Sequence, residues 1–340
     1  MPTVVIKPGA TIFVTGVNGL IGSNVVDQLL ARGYNVRGAV RDVEKVKWLK
    51  EYFDGKYNDV CLELVEVPDM TADGCYDHLL ENIDGFIHLA APVGTINDLD
   101  LALETGRRAG ISALEACAKT PSIKSFVNTS SSVAASFALP QLEQELHIDD
   151  KTYNDHTVSV ARAAEGPRNN FPIYCAMKTE TERAMWQWVQ EKKPGFRMNS
   201  ILPNANFGPV LVPEHQGYPS TIDWARRAWT GEHLEAYAAG VPPQYFTAVR
   251  DAALVHIAAL IYEDVKSERL FVYAERFNFN DLLAIYRKNY PDKTFKDDIP
   301  GLGRDMVVPP TARAEEVLKW IKGSGWDSLE ESIVAMSKDW

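Results

Sequence analysis

The run Thr11-Ile12-Phe13-Val14-Thr15-Gly16-Val17-Asn18-Gly19-Leu20-Ile21-Gly22 begins as a short apolar strand, turns on glycines and leads into a helix-length stretch ending near Arg32. Glycines in such a turn let the chain bend tightly, bring its backbone close to a phosphate, and allow the helix to pack against the strand. The helix that follows supplies unpaired N–H groups and a partial positive charge at its first turn, which suits an anion. A glycine triplet by itself is weak evidence. Between a strand and a helix it gains weight.

Outward from this run, short apolar segments alternate with amphipathic ones, the pattern of parallel strands joined by crossover helices. Strands are expected at Thr11–Val14, Asn35–Val40, Cys61–Val67, Phe86–Leu89, Phe126–Asn128, Arg197–Leu202 and Leu270–Tyr273. Helices are expected over about Asp98–Ala118, with Leu99, Leu103, Ala113, Leu114 and Cys117 on its apolar side, and over Pro172–Glu191, where Met185, Trp188 and Val189 share a face. After Pro203 the texture changes: prolines and glycines crowd 203–219 and 240–243 among frequent aromatics. The expected architecture is α/β, a doubly wound parallel sheet of about seven strands with a smaller C-terminal lobe over the sheet's carboxyl edge, where such sheets bind ligands. Residues 1–203 would form the first domain, with a further strand and helix returned from about 245–275. Residues 204–340 would form mainly the second lobe.

Composition narrows the function. The 340 residues are 46% hydrophobic and 24% charged, with a formal charge of −11, so the surface repels nucleic-acid backbones. Apolar runs fall short of a membrane span, and no secretion signal is evident. Cys61, Cys75, Cys117 and Cys175 lack metal or redox spacing, and a cytoplasmic chain with reduced thiols is expected. The sequon Asn128-Thr129-Ser130 falls on an expected buried strand and reads as chance. The seven histidines show no zinc motif. His88 and His256 read as packed residues, with Asp251 a candidate helix cap. No GxSxG elbow is present for serine hydrolysis.

Two constellations carry chemistry. At the end of the second strand stand Arg41 and Asp42, with Lys45 one turn on. Arg41 and Lys45 suit the extra phosphate of NADP; the alternative makes them solvated cations and Asp42 the ribose ligand of NAD. The residues favour NADP. The second constellation is Tyr174-Cys175-Ala176-Met177-Lys178, in which a spacing of four sets a phenol and an ammonium on one helical face. A nearby cation lowers a phenol's pKa from about 10 and makes it a usable general acid. Thr129-Ser130-Ser131-Ser132, at the end of the fifth strand, offers hydroxyls to orient a carbonyl, with Ser131 and Ser132 equally placed by sequence.

Glycine loop, strand-end serine and YxxxK in this order resemble the extended short-chain dehydrogenase/reductase family and its Rossmann fold. The closer likeness is to fungal aldehyde reductase II and NADPH-dependent carbonyl reductases, which neighbour methylglyoxal and dihydroflavonol reductases. The likeness includes Val36–Arg41, Thr120–Lys124, Phe126–Val133, Tyr174–Thr179, Leu202–Asn204, Pro242–Tyr245, Tyr290–Phe295 and Gly325–Ile333. It implies a cytoplasmic NADPH-dependent oxidoreductase, a ketoreductase that reduces a small aldehyde or ketone of keto-ester or aryl-ketone type to a chiral alcohol. A monomer or homodimer is expected, without metal.

The resemblance also assigns roles. Ser131 would orient the carbonyl, Tyr174 donate the proton, and Lys178 hold the nicotinamide ribose while tuning the tyrosine. Gly16, Asn18, Gly19, Leu20 and Ile21 would bind pyrophosphate, and Arg41 and Lys45 the 2′-phosphate. Asp69 and Met70 would flank adenine, Leu89, Ala90, Ala91 and Thr129 would line the cofactor's path, and Pro203 would sit near the carboxamide. Val93, Asn204, Asn206, Gln244 and Tyr245 are candidates for the substrate pocket. Two departures stand out. Ala109 occupies the place of the family's relay asparagine, and Gln141–Asn170 diverges. Alternatives are a nucleotide sensor without catalysis and an NAD-dependent sugar-nucleotide epimerase or dehydratase. The retained Tyr174 and Lys178 speak against the first, and the apolar, aromatic second lobe against the second.

Overall fold

A computed structural model of the chain describes residues 2–91, 96–163 and 170–340. Seven parallel strands form the central sheet: β1 (Thr11–Thr15), β2 (Asn35–Val40), β3 (Leu62–Glu66), β4 (Gly85–His88), β5 (Ser125–Thr129), β6 (Arg197–Pro203) and β7 (Arg269–Val272). Their spatial order is β7-β6-β5-β4-β1-β2-β3. The order reverses between β1 and β4, and that switch point opens a crevice at the carboxyl ends of the two strands.

The inner strands read as nearly continuous apolar runs because both faces are covered, whereas the edge strand β3 carries exposed Glu63 and Glu66. Successive residues supply opposite layers. Ile12 and Val14 of β1, Ile87 of β4 and Val127 of β5 pack beneath helix α1 (Leu20–Leu30) and the helices Val249–Ile261 and Ala312–Lys322. Phe13, Phe86 and Phe126 point the other way, against Ala113 and Leu114 of the helix Leu99–Ala118 and Met185 of Asn170–Lys192. These three phenylalanines form a continuous stack, with Phe13–Phe86 centroids at 4.9 Å and Phe86–Phe126 at 5.1 Å.

The second lobe contains the helices Thr221–Thr230 and Phe279–Asn289 around a core of Phe207, Ile222, Trp229, Phe246 and Tyr286. Its three-stranded sheet joins Ala205–Phe207, Gln244–Ala248 and Glu275–Phe277. The sequence thus leaves the main sheet after β6, returns for Val249–Ile261 and β7, and returns again with Ala312–Lys322. Asp251 is not the cap of its helix, whose N-cap is Ala248. Its buried carboxylate instead meets Lys322 at 2.7 Å and accepts the Asp327 N–H at 2.7 Å, fastening that last returning segment.

A buried ion pair joins the helix Asn170–Lys192 to β7. Glu182 accepts from Arg269 at 2.8 and 3.0 Å and from the Ser130 hydroxyl at 2.8 Å. Arg269 also donates to the carbonyls of Asp150 (2.8 Å) and Thr152 (2.7 Å), anchoring part of the divergent segment. Removing one member leaves the other charge buried and unpaired. Arg269→Ala should therefore cost about 3–5 kcal/mol in chemical denaturation, while Arg269→Met with Glu182→Leu should recover much of that loss. A single-variant loss no larger than that of an exposed pair would contradict this account.

Candidate active site and dinucleotide groove

The glycine loop occupies the switch point, and its glycines are required sterically. Gly16 has φ +70°, and a Cβ there would lie 3.0 Å from the Ala90 nitrogen. A Cβ on Gly22 would fall 2.0 Å from the Gly16 carbonyl oxygen. The loop and the β4 exit are held together by Thr15. Its hydroxyl oxygen accepts the Leu89 and Ala90 N–H groups at 3.0 Å each and lies 3.1 Å from His88 Nδ1. With two donors on that oxygen, the hydroxyl hydrogen goes to Nδ1 of a neutral histidine. Burial holds His88 down to about 3, with Lys178 adding to the effect, so it stays neutral across the physiological range.

A groove of about 1120 Å³ runs along the sheet edge, lined by Gly16, Asn18, Gly19, Arg41, Asp42, Lys45, Asp69, Met70, Leu89, Ala90 and Ala91. Most of the cofactor residues expected from sequence therefore converge on one surface. Helix α1 begins there with Gly19 at its N-cap and no acidic side chain in its first turn, leaving the helix terminus suited to a phosphate. Leu20 and Ile21, also expected at the cofactor, turn their side chains toward the apolar cores and do not line the groove. Pro203 lies at the buried end of β6. Arg41 is exposed on the groove wall, while Lys45 pairs with Asp42 at 2.9 Å. Asp42, the alternative ribose ligand, is thus engaged by its own turn.

The three serines after β5 have separate partners. Ser130 bonds Glu182, Ser131 is the hydroxyl neighbour that acts on the Tyr174 phenol, and Ser132 is the one that acts on the Tyr273 phenol. This distinguishes Ser131 from Ser132, which sequence spacing left equal. Tyr174 and Lys178 lie on one face of the helix Asn170–Lys192, with Lys178 buried and Tyr174 half-buried. Lys178 directs its ammonium to the Thr129 carbonyl at 3.0 Å. Burial pushes that lysine down to about 8, opposed by Glu182. Burial raises the Tyr174 phenol above its ordinary value, and Ser131 is the group that opposes the rise. The hydroxyl of Thr129 is committed beneath the sheet, 2.9 Å from His256 Nε2, whose Nδ1 lies 2.7 Å from the Ala252 carbonyl.

Other expected positions separate. Val93 lies outside the described residues. Tyr245 is buried, its hydroxyl donating to the Val307 carbonyl (3.0 Å) and accepting from Arg276 (2.8 Å). Gln244 donates to the Pro242 carbonyl at 3.2 Å. Asn204 and Asn206 are bonded to each other, with 2.8 Å from the Asn206 amide to the Asn204 carbonyl, and Asn206 Oδ1 is buried without a partner. Sequence reasoning missed an aromatic line leading away from the phenol: Phe171 lies 6.3 Å from Tyr174 and Phe137 5.4 Å from Phe171, between ring centroids. It also missed Trp48, His215 and Gln216, which share the groove lining. Among the described residues, no cluster of three potential metal ligands and no helix long and apolar enough to cross a membrane occurs.

Residues 12–273 match the model of the NAD dependent epimerase/dehydratase family. The chain belongs to that family. Within it, the chain is 37% identical to aldehyde reductase 2 of Sporidiobolus salmonicolor, over 97% of this chain and 95% of that one. It is 32% identical to ketoreductase adrE of Penicillium rubens, over 97% and 96% respectively. Among solved structures, yeast methylglyoxal/isovaleraldehyde reductase Gre2 complexed with NADPH superposes with a TM-score of 0.80 at 23% identity, covering 96% of this chain and 97% of that one. That likeness shows a shared fold.

Proposed function

We propose that this chain is an NADPH-dependent carbonyl reductase that converts an apolar aldehyde or ketone to a chiral alcohol in the cytoplasm. The observation that carries this reading is the gathering of Ser131, Tyr174 and Lys178 at one place beside the groove: Ser131 acts on the Tyr174 phenol, and Lys178, one turn further along the same helix, holds the Thr129 carbonyl at 3.0 Å. The names of its relatives point the same way: aldehyde reductase, ketoreductase, and a reductase with NADPH. Keto esters and aryl ketones suit the aromatic line Phe137–Phe171–Tyr174.

The residues fit the cofactor. Glycines keep the loop open to a pyrophosphate, the helix terminus attracts it, and Arg41 with Lys45 suits a 2′-phosphate. When bound, NADPH supplies the hydride. The Ser131 hydroxyl holds the carbonyl oxygen beside the phenol, polarising the bond and fixing the face presented. Tyr174 donates its proton to that oxygen as alkoxide character develops. The Lys178 ammonium, tethered by Thr129, lies beneath the reacting groups and favours the phenolate that results. The substrate binds from the second-lobe side, and the protein acts as a monomer or homodimer with no resident metal.

The charge of Lys178 sets a pH limit. Its ammonium is present below about 8 and lost as pH rises through that value. The phenol stays protonated there because burial raises its pKa, and His88 stays neutral. Reductive kcat/KM should therefore hold on the acid side and fall as pH rises through about 8. Lys178→Arg should lower the rate and remove that limb. A wild-type profile that stays flat well into the alkaline range would contradict a role for the ammonium.

A further inference from the structure

The glycine loop and the turn after β2 form two rims of the groove, and a segment of the second lobe joins them. The single-turn helix Pro213–Gln216 places two side chains there. Gln216 Nε2 donates to the Asn18 carbonyl (3.2 Å) and to Ser23 Oγ (3.1 Å), while its Oε1 accepts the Val212 N–H (3.1 Å). Every polar atom of that amide is thus committed, and its orientation is fixed. On the other rim, the His215 ring lies flat on Trp48, with centroids 4.9 Å apart and planes within 6°. Trp48 is three residues beyond Lys45, and both line the groove together with Asn18, His215 and Gln216.

Trp48 is half-buried and packs against the main core, whereas His215 is exposed, so the stack adds no core packing on the second-lobe side. What it does is close a bridge: Asn18 and Ser23 on one rim, Trp48 on the other, and four residues of the second lobe between them. We propose that this bridge is a strap over the bound dinucleotide, with His215 and Trp48 as its clasp, so that cofactor release requires the stack to part. The inference rests on the NADPH reading above and adds cofactor-retaining residues from the lobe otherwise given to substrate. The clasp holds ring against ring and leaves the 2′-phosphate to Arg41, so it retains NADPH and NADH alike.

The test is the dissociation rate of each dinucleotide from the full chain, followed by stopped-flow fluorescence during a chase with excess unlabelled NADP. An aromatic stack of this kind corresponds to about a three- to tenfold change in rate. His215→Ala and Trp48→Ala should each accelerate release by that factor for both cofactors, with association rates and, for His215→Ala, the thermal stability of the unliganded protein little altered. The double variant should release no faster than either single variant, and Trp48→Phe, which keeps a stacking ring, should restore slow release. Release from both alanine variants at the wild-type rate would overturn the clasp, and so would an effect confined to NADPH, which would make His215 a phosphate ligand. Wild-type protein that binds neither dinucleotide would overturn the cofactor reading as well, which separates the two failures.

Discussion

Tyr174→Phe should lose about 10²- to 10⁴-fold in kcat for carbonyl reduction while binding NADPH with near wild-type affinity, the range set by loss of a positioned general acid. The substitution removes one oxygen from a half-buried ring whose packing against Phe171 and the neighbouring helix remains. Folding and cofactor binding should therefore persist. The Ser131 hydroxyl would still hold the carbonyl but would lack a partner to pass on a proton, leaving water as the source. Single-turnover NADPH oxidation together with fluorescence titration of NADPH separates the two effects. An unchanged rate would remove Tyr174 from the mechanism, whereas equal losses of binding and turnover would indicate a structural role.

Replacing Arg41 by Ala should raise the KM for NADPH about 10- to 100-fold and leave that for NADH within about twofold, the difference expected from losing a charge-assisted contact to a phosphate. Arg41 is exposed on the groove wall and lies at the end of β2, so its loss should not disturb the sheet. Lys45 should contribute less, because it must share its ammonium with Asp42. Steady-state kinetics with both cofactors at saturating carbonyl provides the check. Equal effects on the two cofactors would return the argument to Asp42 as a ribose ligand of NAD.

Much of the frame was legible before any coordinates. The inner strands of the main sheet are covered on both faces and read as near-continuous apolar runs, while the edge strand β3 alternates with exposed Glu63 and Glu66; the seven runs lie where β1–β7 form, apart from shifts of a residue or two at their ends. The glycine loop was equally readable, because its sterics are local: Gly16 and Gly22 approach each other within a single turn. Tyr174 and Lys178 follow from helical periodicity. The sequence had less to say where partners are remote. Trp48 and His215 meet through a single-turn helix that has no periodicity of its own. Ser131 and Ser132 differ in neighbour, Tyr174 for the one and Tyr273 for the other, a choice made by the path of the chain after β5 rather than by spacing. Tyr245 looked like a pocket residue, but its hydroxyl is consumed by Val307 and Arg276, contacts across the second lobe.

The expected tuning of the tyrosine was also incomplete. Spacing of four suggested that Lys178 directly lowers the phenol's pKa. In the folded chain the ammonium turns to the Thr129 carbonyl, and Ser131 is the neighbour that opposes the effect of burial on the phenol. The pocket behind Lys178 is lined by Ala109 and Gly106 together with Thr181, where the family's relay asparagine would otherwise project. The acid-base apparatus proposed for this chain is therefore the triad Ser131, Tyr174 and Lys178, with Thr129 and Glu182 acting on the lysine.

The most direct measurement of the central claim is NADPH oxidation by the wild-type chain across aldehydes, keto esters and aryl ketones, with chiral analysis of each alcohol. The account predicts alcohol formed in equal amount to NADPH consumed, one enantiomer in excess for prochiral ketones, and NADH a distinctly poorer donor. Tight NADPH binding without reduction of any carbonyl would contradict it, as would conversion of a nucleotide sugar with no net consumption of cofactor.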